Sequence, residues 1–263
     1  MRFLPVKVVN TVHAMELDIS TLAERPELQD ALWQLSDTWP EYIQNDPVGW
    51  SHFDRIVAEL PEYVLVATDE QGALVARALS VPFALHEKGR DGELPDGGWD
   101  QVLVWAFADR RHGVDPDTVS AIEITVSAGR QGSGISAVML AAMRENARAR
   151  GFSEVVAPVR PSAKHREPHA SIYEYARRIR PEDGLPHDPW LRVHVRAGGV
   201  IEKVAPTSMC VPGSVAQWRD WTGLPFDRPG EVEVPGALVP VHCDPERGHA
   251  VYVEPNVWVR HRM

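Results

Sequence analysis

The chain has 263 residues, 44% hydrophobic and 24% charged, enough to bury a full core as one large domain or two small ones. Its formal net charge of −10 argues against a nucleic-acid partner, and two cysteines, Cys210 and Cys243, without a Cys-x-x-Cys spacing argue against a disulfide framework. No apolar run reaches the ~20 residues of a membrane span, and the start Met1-Arg-Phe-Leu-Pro-Val-Lys7 lacks the apolar stretch of a signal peptide, so a cytoplasmic protein with no membrane partner is expected.

In chain order, Leu22, Leu28, Leu32 and Leu35 approach helical spacing and predict a helix over 19–39. A second helix is expected over about 50–60, after the turn Asn45-Asp-Pro47. Tyr63-Val-Leu-Val-Ala67 and residues 74–82 read as two strands joined by the turn Asp69-Glu-Gln-Gly72, a hairpin. A loop rich in Gly, Asp and Pro covers 87–98, and the apolar run 101–107 reads as a further strand. The β-branched run over 120–127 feeds a Gly-rich turn that opens into a helical pattern ending at Arg150, with Gly151 as its stop. A strand over 154–159 follows, then a charged, irregular stretch over 161–188 with a short helix around Tyr173. Pro189 begins a helix that Gly198-Gly199 closes, and strands and turns are expected from Val200 onward. With no repeat, linker or clear boundary, residues 1–263 read as one domain.

The Gly-rich turn carries the chemistry. A helix start offers backbone N–H groups without intrahelical partners and the positive end of the helix dipole, and glycines let an anion approach the main chain. A P-loop would need Gly-Lys-Ser/Thr, and the sequence here is Gly134-Ile-Ser136, with no lysine. Gly132-x-Gly134-x-x-Ala137 fits a permissive dinucleotide fingerprint, but the first glycine comes late after Val126, and Glu154 begins the next strand where a ribose-binding acid would end it.

A third reading fits the order of elements. Gln131-x-x-Gly134-x-Ser136, five residues past Val126, resembles the pyrophosphate loop of the GNAT N-acetyltransferase superfamily, Gln/Arg-x-x-Gly-x-Gly/Ala, departing from it only in Ser136. The flanking strand, the helix ending in Ala-Arg-Gly-Phe152 and the strand Glu154-Val-Val-Ala-Pro-Val159 match as well. The resemblance is strong over 118–160 and weaker over 188–205. It implies an α/β GNAT fold: a central twisted mixed β-sheet flanked by helices, with a strand-rich C-terminal extension. Residues 1–117 would form the acceptor-side half, 118–205 the acyl-coenzyme A core and 206–263 the extension.

The same resemblance implies transfer of an acyl group, most simply acetyl, from acetyl-CoA or another acyl-CoA to the amine of a small-molecule acceptor, with no metal. Gln131, Gly132, Ser133, Gly134, Ile135 and Ser136 would hold the pyrophosphate, and Ile124 and Val126 would offer main-chain groups to the pantetheine arm. Aligning the family's helix-ending glycine with Gly198 puts His194 in the place of its tyrosine acid, whereas a shift of one residue would put Val195 there; Tyr173 and Tyr175 are alternative acids. Glu123 is the carboxylate on the central strand and a candidate base, although strand alternation points it away from the face of Ile122 and Ser120 unless a bulge intervenes. Two other classes stay open: a non-catalytic acyl-CoA-binding module, and a transferase using an acyl carrier protein or aminoacyl-tRNA, with the Arg-rich stretch 144–180 as its docking surface. His165 and His169 have metal-ligand spacing without an evident third ligand. The oligomeric state, a homodimer included, is left open.

Overall fold

The structure is a computed structural model that describes residues 6–10, 15–35 and 39–263. The strands are β1 Val6–Asn10, β2 Met15–Thr21, β3 Val64–Thr68, β4 Leu74–Phe83, β5 Thr118–Val126, β6 Glu154–Val159, β7 Val200–Ser214, β8 Gly230–Val232, β9 Val241–Asp244 and β10 His249–Arg262. The helices are α1 Gln29–Leu32, α2 Glu41–Gln44, α3 Pro47–Glu59, α4 Gly98–His112, α5 Ile135–Ala149, α6 Ile172–Tyr175, α7 Pro189–Arg196 and α8 Val215–Thr222. Among the described residues the strands form one mixed sheet in the order β1-β2-β3-β4-β5-β6-β10-β9-β8, with β7 paired to β10 off that path. This is the α/β, sheet-and-helix architecture expected from the sequence.

Each central element follows from its residues. All of β3 and most of β4 are buried, matching their apolar, β-branched composition, because α5 packs on β3 to β6 while α4 packs on β4 and β7. Helix α5 turns Ile135, Met139, Leu140, Met143 and Ala147 inward, a stripe at helical spacing. Asp46 caps α3 by accepting the Gly49 N–H, and Asp188 caps α7 by accepting those of Trp190 and Leu191.

Three expectations are corrected. The predicted helix over 19–39 begins as strand: Leu17 and Ile19 alternate inward along β2, which is paired on both sides, and Pro26 then admits only a short helical turn and α1. Residues 36–38 of that span, like the chain start at 1–5, lie outside the described residues. The run 101–107 is helix, not strand: Trp99, Val102, Leu103, Ala106 and Phe107 bury one face of α4, which Gly113 ends in a left-handed C-cap. Beyond Val200 the chain is not all strand and turn, since α8 forms behind a Ser214–Gln217 capping box.

Two features position the site. Strands β5 and β6 are parallel but register only at Val119–Val155 and Ser120–Val156, so past Ser120 they part. The segment 206–263 is integral to the sheet, because β10 lies between β6 and β9, pairing Val257 with Val159.

Candidate active site

The parting of β5 and β6 opens two connected cavities. The outer one, of about 340 Å³, is lined by Ile124, Val126, Gln131, Gly132, Gly134, Ile135 and Ser136, with Trp39, Arg160, Ser162 and Trp190 across from them. Gly132 and Gly134 both have left-handed φ, 76° and 85°, which glycine adopts without strain. A Cβ at Gly132 would meet nothing within 4 Å, so its role is conformational. Gly134 is the N-cap of α5, and its carbonyl accepts from Ala137 and Val138, which leaves the N–H groups of the first turn directed outward. Gln131, Gly132, Gly134, Ile135 and Ser136 thus line one surface, while Ser133 turns its hydroxyl back onto the Arg130 carbonyl, 2.5 Å away. Free N–H groups at a helix start suit an anion.

The inner cavity, of about 380 Å³, shares Trp39, Ile124, Arg160 and Trp190 with the outer one. Its walls are Ala121 to Ile124 of β5, Ala157 to Val159 of β6 and the following Arg160; its floor includes Met209, Glu254, Asn256 and His194, and Trp33, Trp50 and Asp54 stand at an exposed rim. A bulge puts Glu123 on this wall. Glu123 pairs with Leu79 and Ala121 with Ser80, so Ile122 is an extra residue and strict alternation breaks. Glu123 accepts from Arg77 Nε at 2.8 Å and from the Thr125 hydroxyl, a buried ion pair that forms part of the wall.

His194 also reaches the cavity, 2% exposed, with its ring edge-on to Trp190 at 4.7 Å. Its Nδ1 is 2.9 Å from His261 Nε2, which leaves Nε2 as the ring nitrogen available to the cavity. Burial, and then the neighbouring His261, lower its pKa to about 3, so the ring is neutral at neutral pH. The alternative acids are not brought here: Tyr173 is exposed, and Tyr175 is buried against Asp188, outside the cavity.

No protein-family model matches the sequence. The arginine N-acetyltransferase avaD of Aspergillus versicolor is 32% identical over 92% of this chain and 93% of its own length. The chain belongs to the GNAT N-acetyltransferase superfamily. Among solved structures, the loading GNATL domain of CurA from Lyngbya majuscula superposes with a TM-score of 0.61 at 17% identity, over 94% of this chain and 97% of that one. The GphF GNAT-like decarboxylase in complex with isobutyryl-CoA gives 0.56 at 18%, over 93% and 98%. At such identities these two speak for the fold. The protein is thus an N-acetyltransferase, an enzyme that acylates an amine.

Several residues lining the inner cavity carry no motif. Glu254 is fully buried on β10 and accepts from Arg160 Nε at 2.9 Å, from the Tyr252 hydroxyl at 2.8 Å and from Asn256 Nδ2 at 3.0 Å. A lone arginine or glutamate in an otherwise apolar strand, such as Arg77, Glu123 or Glu254, signals a buried partner across the sheet. The Arg-rich stretch is largely engaged internally: Arg148 with Glu145, Arg160 with Glu254, Arg178 with Glu167 and Arg180 with Asp183. His169 meets Glu233 at the surface, and among the described residues no group of three or more His, Cys, Asp or Glu could hold a metal. Both cysteines are free thiols, and no described helix is long and apolar enough to cross a membrane.

Proposed function

We propose that the acetyltransferase moves an acetyl group from acetyl-CoA to the α-amine of arginine or a closely similar basic amino compound. The observation that carries this reading is the pair of joined cavities, one ending at the Gly-rich start of α5 and the other at a rim bearing a carboxylate and aromatic rings. Gln131, Gly132, Gly134, Ile135 and Ser136 would hold the pyrophosphate through main-chain N–H groups, with Ser133 stabilising the turn. Ile124 and Val126 would meet the pantetheine arm along the unpaired stretch of β5. The thioester would then lie where the cavities meet, beside Trp190 and within reach of His194 Nε2. Catalysis of this kind is mainly proximity and placed hydrogen bonds.

On the acceptor side, Asp54 is exposed and, among the described residues, has no ion-pair partner, with Trp33, Trp50 and Phe53 around it. A guanidinium is suited by a carboxylate and flat aromatic faces. The relative avaD is an arginine N-acetyltransferase, which favours this acceptor class. The amine would enter neutral and lose its proton through cavity water. We assign Glu123 to the wall it forms with Arg77, not to that proton transfer.

Thiol release from acetyl-CoA with arginine, agmatine, citrulline and lysine tests the proposal, and turnover is expected with arginine. Absence of turnover with every amine, together with absence of calorimetric binding of acetyl-CoA at millimolar concentration, would overturn it. Asp54→Asn should raise the KM for arginine about tenfold, equivalent to about 1.4 kcal/mol, and leave the KM for citrulline unchanged. Equal effects on both acceptors would remove Asp54 from the subsite.

A further inference from the structure

His194 and His261 are 2% and 0% exposed, and with His194 Nδ1 2.9 Å from His261 Nε2 one ring must donate to the other. Burial first, then the charge of Arg144, lowers His261 to about 4, so both rings are neutral at neutral pH. Two neutral rings allow two arrangements. In one, His194 gives its Nδ1 hydrogen to His261, and His261 carries its own hydrogen on Nδ1. In the other, His261 gives its Nε2 hydrogen and keeps a bare Nδ1, and His194 carries its hydrogen on Nε2.

The surroundings discriminate between them. His261 Nδ1 is buried and has no hydrogen-bond partner among the described residues. The first arrangement would strand an N–H there, the second only a lone pair, and a stranded buried N–H is the rarer and costlier state. Arg144 on α5 adds a second, independent preference. Its Nη1 donates to the Ala197 carbonyl at 2.6 Å, at the end of the helix that carries His194, while its Nε is buried without an acceptor. A cation beside His261 favours a lone pair over a hydrogen on the atom left open. Gly199 makes the packing feasible, since a Cβ there would stand 2.7 Å from His261 Cε1.

We propose that His261 and Arg144 are positioning residues that hold His194 in the tautomer with its hydrogen on Nε2, so that His194 offers the acyl group a fixed N–H donor. The catalytic part of this inference rests on the acyl-transfer reading of the cavity; the tautomer does not. A neutral imidazole that gave this hydrogen away would be left as an anion in a buried site. His194 therefore keeps it and stabilises charge on the acyl oxygen as the amine attacks. The C–N bond forms, the C–S bond breaks, and the proton released by nitrogen reaches the thiolate through water.

Ring ¹⁵N–¹H correlation spectra of the full-length protein, with His194 assigned by substitution, read the tautomer directly at neutral pH. Hydrogen on Nε2 and a bare Nδ1 are expected. Hydrogen on Nδ1, or a cationic ring, would overturn the proposal, whether or not any amine is acetylated. In kinetics, His261→Leu should lower kcat on the order of a hundredfold with the KM for acetyl-CoA within about twofold. His261→Gln, whose amide can still donate to His194 Nδ1, should recover part of that loss. An unchanged kcat in His261→Leu would exclude the positioning role. Should that variant fail to fold, Arg144→Met supplies the same test through a shift of His194 away from the pure Nε2 tautomer, and an unshifted spectrum would remove Arg144 from the device.

Discussion

At the scale of residues, the site is built from charges that neutralise one another inside the sheet. Arg77 and Glu123 are buried together, and Arg77 Nη1 also donates to the Leu32 carbonyl. Removing one partner strands the other, which costs about 3–5 kcal/mol, whereas replacing both by apolar groups of similar volume costs far less. Urea unfolding should therefore show Glu123→Leu strongly destabilised and Arg77→Met/Glu123→Leu close to the parent; additive losses would mean that the pair does not act as a unit. Local signals in the sequence reveal local structure: Gly132 and Gly134 mark the turn into α5 because the turn itself requires their φ, and the proposed role of His194 rests on its distance from Gly198. Glu254, Asn256 and His261 could not be found that way. Their partners, Arg160, Ser208 and His194, are far away in the chain and meet them only through the pairing of β10.

At the scale of elements, legibility follows from how much of an element's pattern is set by its own residues. The unit from β5 through α5 to β6 reads directly because strand, glycine turn, helix stop and strand each carry a local cue. Strand β2 does not, since its apolar residues also suit a helix and only pairing with β1 and β3 decides. Helix α4 is misread for the opposite reason: its apolar run is too short in isolation to separate period two from period 3.6. The functional junction is the start of α5. Gly134→Val would force a β-branched side chain into left-handed φ at the cradle. The KM for acetyl-CoA should rise at least tenfold while the thermal midpoint falls by only a few degrees; unchanged acetyl-CoA binding by calorimetry would mean that the cradle lies elsewhere.

At the scale of the whole molecule, two buried carboxyls stand where α3 and α4 meet β7. Asp46 caps α3, and Asp100 on α4 accepts the Cys210 N–H of β7 at 3.0 Å. Burial raises both carboxyls above the usual range, Asp100 the further of the two because the charge of Asp46 acts on it as well. A group whose folded-state pKa is raised stabilises fully below its unfolded value and loses that contribution as pH rises through the folded value. The thermal midpoint should accordingly fall from about pH 4 to about pH 8 and level off above it, and Asp100→Asn should flatten that slope. A wild-type midpoint constant over this range would show that burial does not hold these carboxyls protonated.

The placement of β10 also shapes how the enzyme comes into being. Its strand neighbour β6 is translated long before it, and Val257 must find Val159 across everything made in between. Such distant pairing carries a large loop-closure entropy and is intrinsically slow to form. Glu254, Asn256 and His261 all arrive with this strand, so a nascent chain that has formed the start of α5 still lacks the floor of the inner cavity. The turn into α5 is built from neighbours in the chain, whereas the inner cavity is complete only when the sheet closes.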